Sequence, residues 1–356
     1  MLAMNVEDIG EFRLIDTLAQ AIAKENGSLI RRLDERGFRV RLSIGDDAAA
    51  WDAPPGVRVL TTDTMVEGVH FNLGQIGWRD LGWKSLAVNL SDVAAMGCAP
   101  LYSVITLGLR GDLPVDGLLE MYRGMLDAHR LCGGAIVGGD IVSAPVFFVT
   151  VALEGAAVAS NFSVEGDALL TRSSAMPGDK IAVTGHLGCS GGGLRILLGS
   201  ETQSHTFDDE TASHLIDAHT RPMPRVAQGI TLAKQGVVTA MDISDGLVDD
   251  LKKMCKASGV GAVIRADLVP ADDFLKKAYP DDWLSLALGG GEDYELLFTA
   301  PQEVMDRIAF PFTEGLDVPV SVVGDIVEGP STVKVLDRNG NAILVESGGW
   351  DHFRRT

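Results

Sequence analysis

Short apolar runs that end at or are interrupted by an aspartate recur along this chain, and they limit how it can fold. They read "SIGDDAAAW" (43–51), "LTTDTMVEGVHF" (60–71), "AVNLSDVAAMG" (87–97), "IVGGDIV" (136–142) and "AMDISDGL" (240–247). Each reads as a strand or helix that closes on a carboxylate, and an unpaired buried charge is costly. Asp46 and Asp47 even stand side by side, in what otherwise reads as a buried strand followed by a turn. The longest apolar runs, such as "APVFFVTVAL" (144–153), are too short to span a bilayer. The chain therefore reads as a globular fold whose elements bring acidic groups to their ends.

At 356 residues the chain is long enough for two domains and at least one large core. Its 41 glycines, many at the ends of apolar runs, predict tight turns and close backbone approaches. The opening "MLAMNVEDIGEF" lacks the basic and apolar regions of a secretory signal. Cys98, Cys132, Cys189 and Cys255 are widely spaced without a CxxC pair, so they read as free thiols in a reducing compartment, and a cytoplasmic location is expected. The formal net charge of −19 argues against a nucleic-acid partner. If the substrates are anions, divalent cations would have to invert the local charge.

Residues 9–25 read as an amphipathic helix with Ile15, Leu18, Ala19 and Ile22 on one face. "FRVRLSIGDDAAAW" and "VRVLTTDTM" alternate as strands, 79–97 has helical spacing closed by Gly97, and "LYSVITLGL" is a strand. A helix over "VDGLLEMYRGMLDAHRLCG" precedes the strands "AIVGGD" and "VFFVTVALEG". Strands in succession beside a few helices predict an α+β layer rather than a doubly wound parallel sheet. The chain changes character near Pro177-Gly178-Asp179, a turn signal. The boundary falls between roughly 155 and 175, and we draw it as 1–160 and 161–356.

The chain has no GxxxxGK[ST] phosphate loop. "TGHLGCSGGGLRILL" (184–198) loosely imitates a dinucleotide fingerprint but lacks a convincing acidic partner about 20 residues on; a plain glycine-rich strand-to-helix turn is the simpler reading. Asp47, Asp63, Asp92, Asp140, Asp242 and Asp245 say more. Mg²⁺ wants oxygen ligands and is held by a few carboxylates together with substrate phosphates. Any one of these residues could instead cap a helix or turn. Six in this setting point to an acidic, metal-dependent enzyme acting on phosphates.

Longer strings go further. "GDDAAAW", "TTDTMVEGVHF", "LGWKSLAVNLSDVAAMGCAPLY", "GGD", "LTRSSAMPGDKIAVTG", "DISDGLVDDL", "GGGEDYELLFT" and the terminal "GGWDHF" resemble, in order and over nearly the whole chain, the thiamine-monophosphate kinase family. The resemblance implies the fold of aminoimidazole ribonucleotide synthetase-like proteins: an N-terminal α+β sheet domain that dimerises, binding ATP and Mg²⁺, then a C-terminal α/β domain. It implies ATP-dependent phosphorylation of thiamine monophosphate to thiamine diphosphate, with Mg²⁺, in a homodimer. Carried over by residue, it places Mg²⁺ on Asp47, Thr61, Thr62, Asp63, Asp92, Asp242 and Asp245, with Asp140 a further ligand. Asp63, Asp92, Asp140 and Asp245 carry the catalysis. Gly139, Asp140, Arg172 and Ser244 contact ATP; His70, Glu292 and Trp350 contact the thiamine substrate.

Three further expectations follow. In an extended segment neighbouring side chains point to opposite faces, so Asp47 would ligate metal directly and Asp46 would cap backbone groups. Lys84, eight residues before Asp92, either faces the same side of their helix or is a solvated helix lysine. The phosphate of thiamine monophosphate attacks in line, with no general base and no phosphoenzyme. Two other readings are a selenophosphate synthetase-like member of the superfamily, which needs a reactive cysteine near the N-terminus, and a non-catalytic nucleotide-binding regulator. The first cysteine here is Cys98, and the intact acidic set disfavours a mere binder.

Overall fold

The computed structural model describes residues 4–159, 167–199, 208–309 and 318–345. The chain divides into two compact units, Met1–Val93 with Cys98–Ala157, and Ala94–Gly97 with Val158–Thr356.

In the first unit the expected helix near the N-terminus runs over α1 (Glu11–Asp34). Its buried residues Leu14, Leu18, Ile22, Asn26, Leu29 and Leu33 recur every three or four positions, the spacing of one helical face. Asn26 is buried without loss because it makes two backbone bonds with Ile136: its Nδ2 donates to the carbonyl (2.6 Å) and its Oδ1 accepts from the amide (3.3 Å). After α1 come β1 (Arg58–Val66), α2 (Trp78–Ala95), β2 (Ala99–Leu109), α3 (Val115–Cys132), β3 (Ala135–Ser143) and β4 (Phe148–Ala156), and a short helix, Val6–Ile9, precedes α1. Their sheet has the order β1-β4-β2-β3, antiparallel except for the β2–β3 pair. One further hairpin pairs Arg39–Leu42 with Ala50–Asp52.

α2 is buried on all sides over residues 81–91, so the amphipathic pattern of α1 is missing from it. It crosses α3 backbone to backbone. A Cβ on Gly82 would stand 1.8 Å from the Met121 carbonyl oxygen, and one on Gly124 would stand 1.8 Å from that of Arg79. At Gly97 the helix end closes as expected, with the Gly97 amide on Ala94 O and the Cys98 amide on Val93 O.

The second unit holds a seven-stranded sheet. Its elements include β5 (Lys180–Thr184), α4 (Cys189–Leu197), α5 (Asp209–Thr220), β6 (Thr239–Asp242), α6 (Leu247–Ser258), β7 (Gly261–Arg265), α7 (Asp273–Ala278), β8 (Leu296–Ala300), β9 (Val320–Val327), β10 (Val333–Leu336) and β11 (Ala342–Ile343), with further helices over Val226–Lys234, Trp283–Gly289 and Gln302–Ala309. Strands lie in the order β6-β8-β5-β9-β7-β10-β11, and β7–β10 is the parallel pair. Ile181, Val183, Met241, Leu251, Ile264 and Leu297 belong to its core. All four cysteines are free thiols, as the spacing predicts.

One buried group in the first unit has a pH signature. His129 on α3 is fully buried, with Nδ1 2.9 Å from the Gly133 carbonyl and Nε2 2.8 Å from Ser103 Oγ. A carbonyl only accepts, so Nδ1 carries the proton and Nε2 accepts from the serine. Burial lowers this imidazole to about 4, against the smaller opposing effect of the Gly133 bond. The unfolded chain takes up its proton near pH 6.5. Stability should therefore fall as pH drops from about 6.5 to about 4 and be flat in this group below that, a total on the order of 3 kcal/mol. Denaturant unfolding of wild type and His129→Gln at pH 7 and pH 5 checks this; equal losses in both proteins would refute it.

Candidate active site

β1 and α2 together build the most developed acidic site in the first unit. Thr61 and Asp63 are two apart on β1 and so share a face. That face meets Asp92, half-buried on α2: Thr61 Oγ1 donates to Asp92 Oδ2 at 2.5 Å. Asn89, one turn before Asp92 and fully buried, accepts the Asp63 amide on Oδ1 at 3.0 Å and gives its Nδ2 to Ser85 O at 3.2 Å. The two carboxyls of Asp63 and Asp92 are thereby held against each other. Desolvation, then the Asp92 charge and a hydrogen bond shared with it, raise the Asp63 carboxyl to about 6, although the residue as a whole keeps an exposed surface.

Register separates other predicted ligands from this pair. Asp63, Val151, Ile105 and Gly139 stand opposite one another across the four strands. Thr64, Thr150, Thr106 and Asp140 form the next row, and the 2.9 Å contact between Thr64 and Thr150 hydroxyls confirms that their side chains share a face. Since successive residues alternate, Asp140 lies on the face opposite Asp63. Thr62 does too; its hydroxyl donates to the Val151 carbonyl at 3.0 Å. Within this unit, then, the side chains of Thr61, Asp63 and Asp92 come together and those of Thr62 and Asp140 do not join them. Gly139 and Asp140 instead line a pocket of about 100 Å³ with α1 residues Ile15, Leu18, Ala19 and Ile22. A Cβ on Gly139 would meet the Ile105 carbonyl oxygen at 2.2 Å, so packing alone calls for glycine there.

Asp46 and Asp47 do not occupy an extended strand. Gly45 at φ +115° turns the chain, both aspartates are exposed, and Asp46 Oδ1 accepts the amide of Asp47 at 2.8 Å. Neither charge is buried, so the cost that made the pair puzzling does not arise. His70 Nδ1 accepts the Val66 amide at 3.1 Å. In the neutral ring the proton must then sit on Nε2. Lys84 is not a solvated lysine: it is 1% exposed.

In the second unit Asp242 closes β6, buried at 8% exposure. Ser244 and Asp245 follow in a loop whose two amides both donate to Asp250 Oδ2 at 2.9 Å. Asp250 is fully buried on α6 and is also bonded by Lys253, which pairs with the Asp245 carboxylate as well. Burial, partly offset by Lys253, raises the Asp250 carboxyl. Arg172 is exposed in a turn beside the start of β6, where Thr171 bridges Thr239. Glu292 takes a left-handed backbone, φ +65°, with its amide on Ser244 O (2.8 Å) and its carboxylate 3.5 Å from His219 Nδ1. A non-glycine residue held there is a strained feature of the kind found at ligand sites. Trp350 lies outside the described residues.

The glycine-rich turn before α4 has an acceptor of its own. Asp293, half-buried, accepts the Gly188 and Ser190 amides at 2.7 and 3.2 Å, and desolvation pushes it up to about 8. A dinucleotide site would put pyrophosphate on such amides. Here an internal carboxyl group holds them, so the simple-turn reading stands.

Sequence reading missed Asn89, Asp250, Lys253, Asp293 and His219. For Asn89 a signal existed: in "NLSD" it lies three residues before Asp92, on the same helical face. For Asp293 and His219 the contacts join distant segments and leave no local trace, whereas Asp250 and Lys253 sit just downstream of Ser244 and Asp245 on the next helix, within local reach of the same motif.

Comparison with known proteins supplies the family. Residues 45–157 match the family described as "AIR synthase related protein, N-terminal domain", and residues 176–336 its "C-terminal domain". The chain is 37% identical over 350 residues to the thiamine-monophosphate kinase of Escherichia coli (strain K12), covering 97% of this chain and 98% of that one. Among solved structures it resembles the thiamine-monophosphate kinase of Stenotrophomonas maltophilia K279a, with a TM-score of 0.76, 33% identity, and 90% and 97% of the two chains covered. It also resembles a structure described as "AaThiL complexed with AMPPCP and TMP", with a TM-score of 0.72, 32% identity, and 99% and 100% covered. On this breadth of likeness, spanning both units and nearly the full length of its relatives, the chain belongs to the thiamine-monophosphate kinase family of phosphotransferases.

Proposed function

We propose that this chain transfers the terminal phosphoryl group of ATP to thiamine monophosphate, forming ADP and thiamine diphosphate, with Mg²⁺ and in a cytoplasmic setting. Kinship supports the substrates: relatives carry the kinase name, and one is complexed with AMPPCP and TMP. The observation that carries the reading within this chain is the Asp63–Asp92 pair. Two carboxyls held together, one of them raised to about 6, form a site that is relieved by a cation. The donor set is all oxygen, which suits Mg²⁺. Asp63 and Asp92 would hold it, with Thr61 supporting Asp92; Asp47, Thr62, Asp140, Asp242 and Asp245 are proposed Mg²⁺ ligands from family likeness, the Thr62 and Asp140 side chains standing on the other face of the sheet and so not on the ion of this pair. When bound there, Mg²⁺ supplies charge neutralisation for phosphate oxygens.

The residues of the chain bind and orient. A phosphate monoester has its second pKa near about 6, so the attacking phosphate is already largely dianionic at neutral pH. No base is then needed, and the proposed route is direct in-line transfer without a phosphoenzyme. His70 fits a contact role, since Nδ1 is occupied by a backbone amide and Nε2–H is a donor suited to a substrate phosphate. Arg172 offers a planar cationic fork to ATP phosphates. Ser244, Gly139 and Asp140 are proposed ATP contacts, Glu292 and Trp350 substrate contacts. In this reading residues 1–160 form the ATP, Mg²⁺ and dimerisation domain, and 161–356 the second domain.

A homodimer is part of the proposal. The sheet face opposite Asp63 exposes Leu60 (77%), Val104 (39%) and Val142 (41%) among its threonines, an apolar surface that a second copy would cover.

Three outcomes are expected. Asp63→Asn and Asp92→Asn should each cut turnover by about 10²-fold or more, the range of lost charge stabilisation; near-normal rates in both at ordinary Mg²⁺ would remove them as ligands. His70→Gln should raise KM for thiamine monophosphate while keeping most of kcat, and a lost basic limb in its pH–rate profile would make His70 the base. Sedimentation at micromolar concentration should give roughly twice the 37.8 kDa chain mass, and Val104→Asp should return it to one chain; a monomer in both cases would refute the dimer.

A further inference from the structure

A mixed set of donors stands in the second unit, among groups that the proposed phosphoryl transfer does not use. Cys189 Sγ, a ring nitrogen of His214 and a carboxylate oxygen of Asp272 all lie within 4.8 Å of one another. Three separate elements supply them: the first residue of α4, the middle of α5, and the residue that caps α7.

Each donor is held in place by its surroundings. Asp272 Oδ1 accepts the Phe274 amide at 2.7 Å, which fixes the carboxylate. Its other oxygen stands 3.6 Å from His214 Nε2 and 3.9 Å from His186 Nδ1. The His214 ring stacks on Phe274, with centroids 4.4 Å apart and planes at 29°. Cys189 is 7% exposed, and burial, then the nearby Asp293 and Asp272 carboxyls, push its thiol well up, so it keeps its proton until a metal displaces it.

We propose that Cys189, His214 and Asp272 form a binding site for a Zn²⁺-class transition-metal dication, with His186 beside Asp272 as the fourth donor. Thiolate, imidazole and carboxylate together are the ligand types of zinc. Donors on a tetrahedral ion with bonds of about 2.0–2.3 Å stand about 3.3–3.8 Å apart. The 3.6 Å between His214 and Asp272 already falls in that range, and the 4.8 Å bound asks for only a small inward movement. A sulfur ligand does not suit Mg²⁺, so this site is chemically distinct from the all-oxygen pair in the first unit. His214, Asp272 and His186 keep part of their surface open, which gives the ion an entry path. On binding, the Cys189 S–H bond breaks: the electron pair goes to the metal and the proton to solvent. The bound ion then ties α4, α5 and α7 to each other.

The alternative is a neutral thiol beside an ordinary histidine–carboxylate contact, and metal binding separates the two. The full chain, freed of metal by chelator, is titrated with Zn²⁺ against a chromophoric chelator. One Zn²⁺ per chain is expected, undisturbed by millimolar Mg²⁺, with a rise in Tm on binding. His214→Gln, whose side chain is partly exposed and should fold normally, should weaken binding by at least about tenfold. Co²⁺ in place of Zn²⁺ should give a thiolate-to-metal charge-transfer band that vanishes in Cys189→Ser. Failure to bind one equivalent, or equal affinity in wild type and His214→Gln, would overturn the site. So would a charge-transfer band that is missing from the wild type or kept in Cys189→Ser.

Discussion

Two negative charges forced together are the constraint on which the first unit's chemistry turns. Like-charged carboxylates a few ångströms apart are unfavourable unless a proton or cation lies between them. The protein accepts that disadvantage deliberately, in structural terms, by spending neutral groups to keep the pair aligned. Thr61 holds Asp92 from the strand, and Asn89 holds the Asp63 backbone from the helix. Neither neutral side chain dissipates the charge; both fix where it sits. A site built this way is poised for a cation before any substrate arrives, which is how preorganised electrostatics lower a barrier.

That much was partly legible in the chain. An aspartate closing an apolar run is a local pattern, so Asp63, Asp92 and Asp242 could be picked out one at a time. Which of them meet is not local. Thr62 and Asp140 carry the same kind of signal as Thr61 and Asp63, yet the strand register puts their side chains on the other face. Only pairing across four strands decides that, and no single run contains it. For Asp46 and Asp47 the expected extended backbone is absent, because Gly45 turns the chain, yet Asp46 does accept a backbone amide as expected. Lys84 shows the limit of residue-type expectation, because a helix buried on every side takes even its lysine inside.

The second unit makes a similar point with backbone amides. The loops at 188–190 and 244–245 both offer N–H pairs of the sort that bind anions. Asp293 takes the first pair and Asp250 the second. The carboxylates come from about 100 residues away in one case and from the next helix in the other. Glycine-rich sequence identifies a loop that could cradle an anion; it cannot tell whether the acceptor there is a ligand or the protein's own side chain.

The crossing of α2 and α3 has a mechanical side. Most packed interfaces are lined with side chains that can change rotamer, and such a lining absorbs small displacements like a soft gasket. At Gly82 and Gly124 there is no lining, only main chain against main chain. A contact of that kind has little give, so the two helices behave as a single lever. Asp92 rides on one arm of it and His129 on the other. Any load borne by α3, even far from the carboxylates, is delivered to the position of Asp92 almost undamped.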